Sequence, residues 1–240
     1  MYRKSRSRKR FSLSYLIWRL IKFLFSLCVL SVLLVVLLRF LPPPTTSFMI
    51  QTALRNGVYA YRWQPYEQIS PEMALAAIAA EDQRFPMHNG FDVDAINAAI
   101  RDAESGASLR GASTISQQVA KNLFLWPGGG FVRKGIEAWL TILIELIWSK
   151  QRILEMYLNI AQFSDRTFGV EAASQQFFQI SARDLTAEEA ALLAAVLPGP
   201  ELYSLSAPSW EVLDRQSWIL AQMNQLGGSA YLQWLYEGSQ

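Results

Sequence analysis

Apolar residues are distributed very unevenly along the 240-residue chain. Residues 23–38 form an uncharged run of mainly Leu, Val and Phe, and residues 16–21 extend it past the roughly 20 residues that span a bilayer. The run stops at Arg39 and at the three prolines of residues 42–44, because proline cannot continue a helix. The pattern predicts a transmembrane anchor over residues 16–41.

A cleaved signal peptide is the alternative interpretation of this segment. The apolar core of a signal peptide is usually about 7–15 residues long, and small residues at a cleavage site follow it. In this chain the apolar run is longer and three prolines follow it. The sequence therefore favours a retained anchor.

The body of the chain shows helical periodicity almost throughout. Helix starts are indicated by Ser70 before a proline, by Ser113, by Ser149 and by Thr186 with Glu189 three residues later, since these are N-cap and capping-box patterns. The predicted helices cover residues 71–84, 92 or 94 to 104, 114–125, 132–148, 150–161, 190–197 and 209–226. This pattern is typical of a mainly α protein.

The domain organisation follows from these elements. Residues 1–15 are a basic tail before the anchor, and residues 42–64 are expected to be a linker with a short extended segment. Strand signals are confined to a weak alternation over residues 56–63. Residues 65–240 are expected to form a single, mainly α domain.

The net charge of +2 conceals a strong asymmetry. Residues 1–40 carry nine basic side chains and no acidic one, whereas the remaining 200 residues carry 13 basic and 20 acidic side chains, a net charge of −7. An acidic body repels phosphate backbones, so nucleic acid is not an expected partner. The basic cluster at residues 3–10 predicts a cytoplasmic N-terminus, so the body is expected outside the cytoplasm, in the periplasm if the cell has an outer membrane. The only cysteine, Cys28, lies within the span, so an intramolecular disulfide is excluded.

Residues 123–132 combine a flexible Pro-Gly-Gly-Gly connection with large apolar side chains on both sides. On an anchored protein, such a segment can dip into the membrane surface. The alternative is that these side chains pack in the core, and the sequence leaves both interpretations open.

Three polar clusters occur where a core-facing pattern would be apolar. Glu81 ends a helix made mainly of Ala, Leu, Ile and Met, so its carboxyl group is expected to be partly desolvated and suited to accept a proton near neutral pH. A second cluster is a polar helical stripe, and a third combines two cations with an acid at the start of an apolar helix. The second comprises Ser113, Gln117, Gln118, Lys121 and Asn122, and the third Arg133, Lys134 and Glu137.

Taken together, the clusters resemble the ordered motifs of the peptidoglycan glycosyltransferases over about residues 65–205. No Ser-x-x-Lys or Lys-Thr-Gly motif is present, so the chain resembles the monofunctional biosynthetic members without a transpeptidase domain. The resemblance implies a lysozyme-like helical glycosyltransferase domain behind a single N-terminal transmembrane helix. The matching motifs are Glu81-Asp82-x-x-Phe85-x-x-His88-x-Gly90-x-Asp92, Gly111-Ala112-Ser113-Thr114-Ile115-Ser116-Gln117-Gln118-x-x-Lys121-Asn122, Arg133-Lys134-x-x-Glu137, Lys150-x-x-Ile153-Leu154-Glu155-x-Tyr157-Leu158-Asn159, and Gly169-Val170-Glu171-Ala172-Ala173 with Ala190-Ala191-Leu192-Leu193 and Leu197-Pro198.

The resemblance also implies an activity. The family polymerises lipid II, a disaccharide-pentapeptide on undecaprenyl diphosphate, into β-1,4-linked glycan strands by inverting glycosyl transfer. By motif position, Glu81 is the general base and Glu137 orients cations or a metal; both are taken as catalytic residues. The substrate-binding residues implied in the same way are Ser113, Gln117, Gln118, Lys121, Asn122, Arg133 and Lys134. Position 129 is glycine, whereas relatives often have a basic residue there.

The leading alternative is a membrane-anchored, lysozyme-like peptidoglycan hydrolase. A catalytically silent scaffold of the cell-wall machinery is a third hypothesis. The motifs establish no cofactor and do not reveal whether a metal is needed; a divalent cation, Mg²⁺ or Mn²⁺, is compatible with them. The expected partners are lipid II, the growing glycan strand, membrane lipids, and cell-wall synthesis or division proteins.

Overall fold

The computed structural model describes residues 13–104 and 113–234. The basic cluster at residues 3–10 and the Gly111–Ala112 pair lie outside the described residues. The helices are α1 (Leu13–Phe40), α2 (Ser47–Asn56), α3 (Pro71–Glu81), α4 (Val93–Glu104), α5 (Ile115–Phe124), α6 (Phe131–Ile147), α7 (Lys150–Ile160), α8 (Val170–Phe177), α9 (Ala187–Val196) and α10 (Trp210–Gln225). Short 3-10 helices cover Tyr66–Gln68, Phe85–Met87, Ala182–Asp184 and Gly228–Leu232. The mainly α prediction is confirmed.

Helix α3 lies at the centre of the domain. Every residue from Met73 to Ala79 is buried, so the helix has no solvent-facing side over this stretch. It packs against α9 and α10, and α9 is likewise rich in Ala and Leu. A helix that is buried on nearly all sides is apolar nearly all round, which explains why α3 and α9 lack an amphipathic pattern. The catalytic candidate Glu81 is the last residue of this buried helix.

The capping signals in the sequence are largely confirmed. The side chain of Ser70 accepts a hydrogen bond from the Glu72 backbone amide, and Thr186 forms a capping box with Glu189. Ser149 caps α7 in the same way. The prediction that Ser113 caps the next helix was wrong, because Thr114 is the N-cap of α5 and forms a capping box with Gln117.

Most of a small sheet and helices α2 and α8 were not indicated by the sequence, whereas the first strand lies within the weak strand signal at residues 56–63. Strands β1 (Ala60–Tyr61), β2 (Gln162–Ser164) and β3 (Thr167–Phe168) pair in the order β1-β3-β2, parallel between β1 and β3 and antiparallel between β2 and β3. Ala60 pairs with Thr167, and Gln162 pairs with Phe168. Strands of two or three residues are too short to show alternation. The segment expected to be a linker contains α2, whose Thr46 side chain caps it and whose Met49 is buried.

The predicted anchor is a single long helix that also contacts the domain. Most of its side chains are exposed, as a lipid-facing helix requires, but Val35 and Leu38 are buried. The Trp148 indole donates a hydrogen bond to the Val35 carbonyl over 2.8 Å, and the Arg152 guanidinium donates to the Leu38 carbonyl over 2.8 Å. The anchor is therefore docked along α6 and the start of α7.

Candidate active site

Glu81, the last residue of α3, lies in a cleft that is also bounded by Ser113 and Thr114 just before α5. Its side chain is only 14 % exposed, and Gln118 of α5 donates a hydrogen bond to its Oε2 over 2.8 Å. Burial raises the pKa of this carboxyl group, and the nearby Gln118, Arg215 and Lys121 only partly offset that effect. A carboxyl group that is poised in this way can accept a proton closer to neutral pH than an exposed glutamate.

Asp82 and His88 connect the end of α3 to the start of α5. The His88 Nε2 lies 2.8 Å from Asp82 Oδ1, while the Gly90 amide donates to His88 Nδ1 over 3.2 Å. Because Nδ1 accepts, Nε2 must carry the proton and donate it to Asp82. The other carboxylate oxygen of Asp82 accepts the Ile115 amide over 3.0 Å. These bonds agree with a structural role for His88.

The polar stripe of α5 lines the cleft beyond Glu81. Gln118 and Lys121 border two adjoining cavities of about 440 and 300 Å³. Asn122 lines the larger cavity, and Gln117 and Ser113 line the smaller one. A third cavity of about 240 Å³ contains Glu81 and shares Ser113 with the second. The stripe therefore runs from the carboxyl group of Glu81 into the cleft.

Three cations and Glu137 are clustered in the 300 Å³ cavity. Arg133 donates to Glu137 Oε2 over 2.6 Å, and the Lys134 ammonium donates to Glu137 Oε1. Burial, together with the neighbouring cations, lowers the pKa of Lys121, although Glu137 and Glu81 oppose this shift. With one carboxylate among three cations, the cluster retains a positive charge that suits an anionic ligand such as a diphosphate.

The acidic groups near the cleft offer few open positions to a divalent cation. Asp82, His88 and Asp92 have ligand atoms within 4.8 Å of one another. Both ring nitrogens of His88 and both oxygens of Asp82 are engaged in hydrogen bonds within the protein, as are both oxygens of Glu137. The present arrangement therefore does not fit a cation held by these side chains alone.

All nine residues predicted for the site thus lie along one cleft, but two further contributors were missed. Phe48 of α2 lines both larger cavities, and its ring centroid is 5.6 Å from the Lys121 ammonium. Arg215 of α10 lies 3.7 Å from Glu81. Phe48 belongs to a segment without a clear helical pattern, and Arg215 lies beyond the motifs, so neither had a local signal.

Three side chains of the later motifs connect helices to neighbouring segments. Asn159 accepts the Gln64 amide over 2.7 Å, and Glu155 accepts the Tyr66 amide over 3.1 Å. Glu171 accepts the Ala182 amide over 2.8 Å. These side chains join α7 and α8 to the segments preceding α3 and α9, which holds the cleft walls together.

Comparison with known proteins gives consistent matches over nearly the whole chain. Residues 50–224 match the Transgly family model, described as Transglycosylase. A protein of Pseudomonas fluorescens (strain Pf-5) is 51 % identical over 231 residues, covering 94 % of this chain and 96 % of its own. Proteins of Stutzerimonas stutzeri and Shewanella oneidensis are 54 % and 53 % identical, covering 91 % and 87 % of this chain and 93 % and 91 % of their own. All three are named biosynthetic peptidoglycan transglycosylase.

Proposed function

The chain belongs to the transglycosylase family, and from this premise we propose how its cleft carries out the reaction of a peptidoglycan glycosyltransferase. The enzyme polymerises glycan strands. The proposed substrate is lipid II, and the proposed step is an inverting displacement: the acceptor 4-hydroxyl oxygen attacks C1 of the donor sugar, the bond from C1 to the diphosphate oxygen breaks, and undecaprenyl diphosphate leaves.

Glu81 is the proposed general base. The observation that supports this role best is a desolvated carboxyl group, with a raised pKa, at the end of a buried helix and beside a cleft large enough for sugars. Gln118 fixes Oε2 of the carboxylate, and Oε1 is left without a hydrogen bond among the described residues. A well-placed base of this kind contributes about 10²–10⁴-fold in rate.

Lys121, Arg133 and Lys134 are proposed to hold the departing diphosphate. A diphosphate leaves as a stabilised anion, so the site needs cations and hydrogen-bond donors rather than a second acid. Ser113, Gln117, Gln118 and Asn122 supply further polar groups along the same cleft. Each oxygen of Glu137 already accepts a hydrogen bond from a cation, so Glu137 is placed to orient those cations.

The arrangement favours a transferase over the hydrolase alternative. A glycosidase must protonate a poor leaving group with a second carboxyl group. Of the other carboxylates that line the three cavities, Glu137 accepts hydrogen bonds from Arg133 and Lys134, and Asp82 is bound to His88 and the Ile115 amide, so neither is placed to deliver a proton. The cation cluster instead matches a phosphorylated leaving group.

Purified protein incubated with lipid II in detergent tests this function. We expect lengthening glycan chains on a gel and stoichiometric release of undecaprenyl diphosphate. Glu81→Gln is the matched variant: we expect polymerisation to fall by about 10²–10⁴-fold while the circular-dichroism spectrum is retained. Cleavage of purified sacculi without polymerisation would establish the hydrolase instead, and full activity of Glu81→Gln would leave Glu81 without a catalytic role.

The orientation of the anchor is also a proposal. The chain has one described helix that is long and apolar enough to cross a membrane, and its basic flank supports a cytoplasmic N-terminus. The catalytic domain then lies in the periplasm, on the face of the inner membrane where a lipid-linked sugar would be met. Membrane lipids and the growing glycan strand are the proposed partners on this face.

A further inference from the structure

Helix α10 brings a positive charge to the catalytic carboxylate from a distant part of the sequence. The Nη2 atom of Arg215 lies 3.7 Å from Oε1 of Glu81. The same nitrogen donates to the carbonyl oxygen of Ala80 over 3.4 Å. Arg215 therefore contacts both the final turn of α3 and the side chain at its end.

Two polar atoms at this contact are buried without hydrogen-bond partners among the described residues: Oε1 of Glu81 and Nε of Arg215. A buried polar atom without a partner typically costs about 1–3 kcal/mol. Both atoms belong to the same pair of oppositely charged groups. Functional sites often retain such a cost. Here it leaves Oε1 without a hydrogen bond from the described part of the protein, so that Oε1 can accept one from a substrate hydroxyl while a cation remains beside it.

The other charged and titratable groups around Glu81 interact mainly with other partners or are neutral. Asp82 is bound to His88 and to the Ile115 amide, and Lys121 faces the cation cluster around Glu137. From α7, Tyr157 is neutral because burial raises its pKa. From the C-terminal 3-10 helix, Tyr231 donates to the Gln83 carbonyl over 2.9 Å. Within the described residues, Arg215 is the cation at ion-pair distance from Glu81.

Helix α10 is held firmly enough to keep this distance. Its residues Val212, Ile219 and Met223 are buried against the domain. Gln83, two residues after Glu81, donates to Gln222 of α10 over 3.1 Å. The helix is therefore held against the domain on both sides of Arg215, and Gln222 ties it to the residues that follow α3.

We propose that Arg215 is a positioning residue for Glu81, holding the Oε1 side of the carboxylate in place and in its ionised form while Gln118 binds Oε2. This inference rests on the proposed role of Glu81 as the base. In the resting enzyme the guanidinium offsets the burial of the carboxylate. Once the substrate hydroxyl arrives, its proton passes to the carboxylate, and Arg215 remains where it is. The residue acts through Glu81 and has no direct contact with the reacting atoms.

The test is the pH dependence of lipid II polymerisation by the full chain. Arg215→Met removes the cation but keeps much of the side-chain volume, so the carboxylate is harder to ionise and the acidic limb of kcat/KM moves to higher pH. We expect about a tenfold loss near neutral pH that shrinks as the pH rises. Arg215→Lys retains a positive charge at this position. We therefore expect it to keep most of the activity and to leave the acidic limb of kcat/KM at the pH of the unaltered enzyme.

Arg183→Met is the matched control, because Arg183 is an exposed arginine outside the cleft. We expect its pH profile to equal that of the unaltered enzyme. A loss in Arg215→Met that is the same at every pH, or no loss at all, would overturn the proposal. If Arg215→Met melts far below the unaltered protein, Arg215→Gln serves as the second variant under the same criteria. Failure of the unaltered enzyme to polymerise lipid II would instead contradict the proposed function.

Discussion

Glu81 is subject to opposing electrostatic effects. Burial at the end of α3 penalises its ionised form, whereas Gln118, Arg215 and Lys121 favour it. The burial effect is the larger, so the carboxyl group has a raised pKa in the folded protein. A base with a raised pKa binds a proton more readily, which is an advantage for removing one from a sugar hydroxyl.

The same shift predicts that Glu81 destabilises the fold. A carboxyl group whose pKa is higher folded than unfolded costs stability as the pH rises above its usual value near 4.5. We therefore expect Glu81→Gln to raise the melting temperature at pH 8 by roughly 2–4 °C and to leave it unchanged at pH 4. Differential scanning calorimetry at both pH values measures the effect. An equal increase at both values would show that the ionised form is not the cause.

Gly90 shows how tightly the residues around the site are packed. Its φ angle is +88°, and a Cβ atom there would lie 2.7 Å from Cγ2 of Thr141 and 3.0 Å from Cγ of Glu145. We expect Gly90→Ala to lower the free energy of unfolding by about 2–4 kcal/mol. Chemical denaturation measures the change. Gly129→Ala is the control, since a Cβ atom at position 129 meets nothing within 4 Å; a similar loss in both variants would contradict the packing argument.

At the level of single residues, the sequence predicts which side chains share a face wherever the spacing is local. The carboxyl group at the end of an apolar helix and the stripe on α5 are readable because helical spacing fixes which side chains share a face. Thr114 was missed as the N-cap in favour of Ser113, since either side chain can cap and only the backbone decides. Arg215 was missed because tertiary packing alone brings it to Glu81.

At the level of elements, the sequence predicted long helices well and short elements poorly. Helices α5, α6, α7 and α10 begin and end within one or two residues of expectation. Helix α3 was predicted to reach Arg84 but ends at Glu81, because Asp82 has an extended φ of −160° and joins His88. Helix α2 and strands β2 and β3 depend on contacts with distant residues, which no local pattern encodes.

The apolar segment at residues 123–132 is partly buried in the core and partly exposed, so each of the two interpretations that the sequence left open applies to some of its residues. Leu123 and Leu125 are buried, and Phe124 packs against the core. Trp126 is 48 % exposed and Phe131 is 99 % exposed. Exposed Trp139, Ile142 and Leu146 continue this apolar surface along α6, beside the anchor. We infer that this surface, and not the whole segment, faces lipid.

Quenching of tryptophan fluorescence by brominated lipids tests the lipid-facing surface. In vesicles containing the full chain, Trp126 should contribute to the quenched emission, so Trp126→Phe should reduce the quenched fraction. Trp210→Phe is the control, because Trp210 is 73 % exposed on α10, at the other end of the domain sequence. If Trp126→Phe and Trp210→Phe reduced the quenched fraction equally, Trp126 would not be in contact with lipid.

At the scale of the whole molecule, the anchor contributes to folding as well as to location. Val35 and Leu38 are buried against the domain, and the carbonyls of both residues accept hydrogen bonds from side chains of the domain. We expect deletion of residues 1–41 to lower the free energy of unfolding by about 2–4 kcal/mol in the same detergent, since apolar area is exposed and donors lose their partners. Thermal melts measure this loss.

A chimera provides the control for the anchor. Replacing residues 1–30 with another apolar helix while retaining residues 31–41 preserves the buried side chains and their carbonyls. We expect this chimera to have the same melting temperature as the unaltered protein. If the chimera loses as much stability as the deletion, the docking contacts are not what stabilises the domain.

The docked anchor has a kinetic consequence. Because α1 is fixed to the domain by Trp148 and Arg152, the cleft stands at a constant height above the bilayer rather than at the end of a loose tether. Enzyme and lipid-linked donor then meet by diffusion in two dimensions. The rate of strand growth would depend on the surface density of the donor in the leaflet, so diluting it with inert lipid at constant bulk concentration should slow the enzyme.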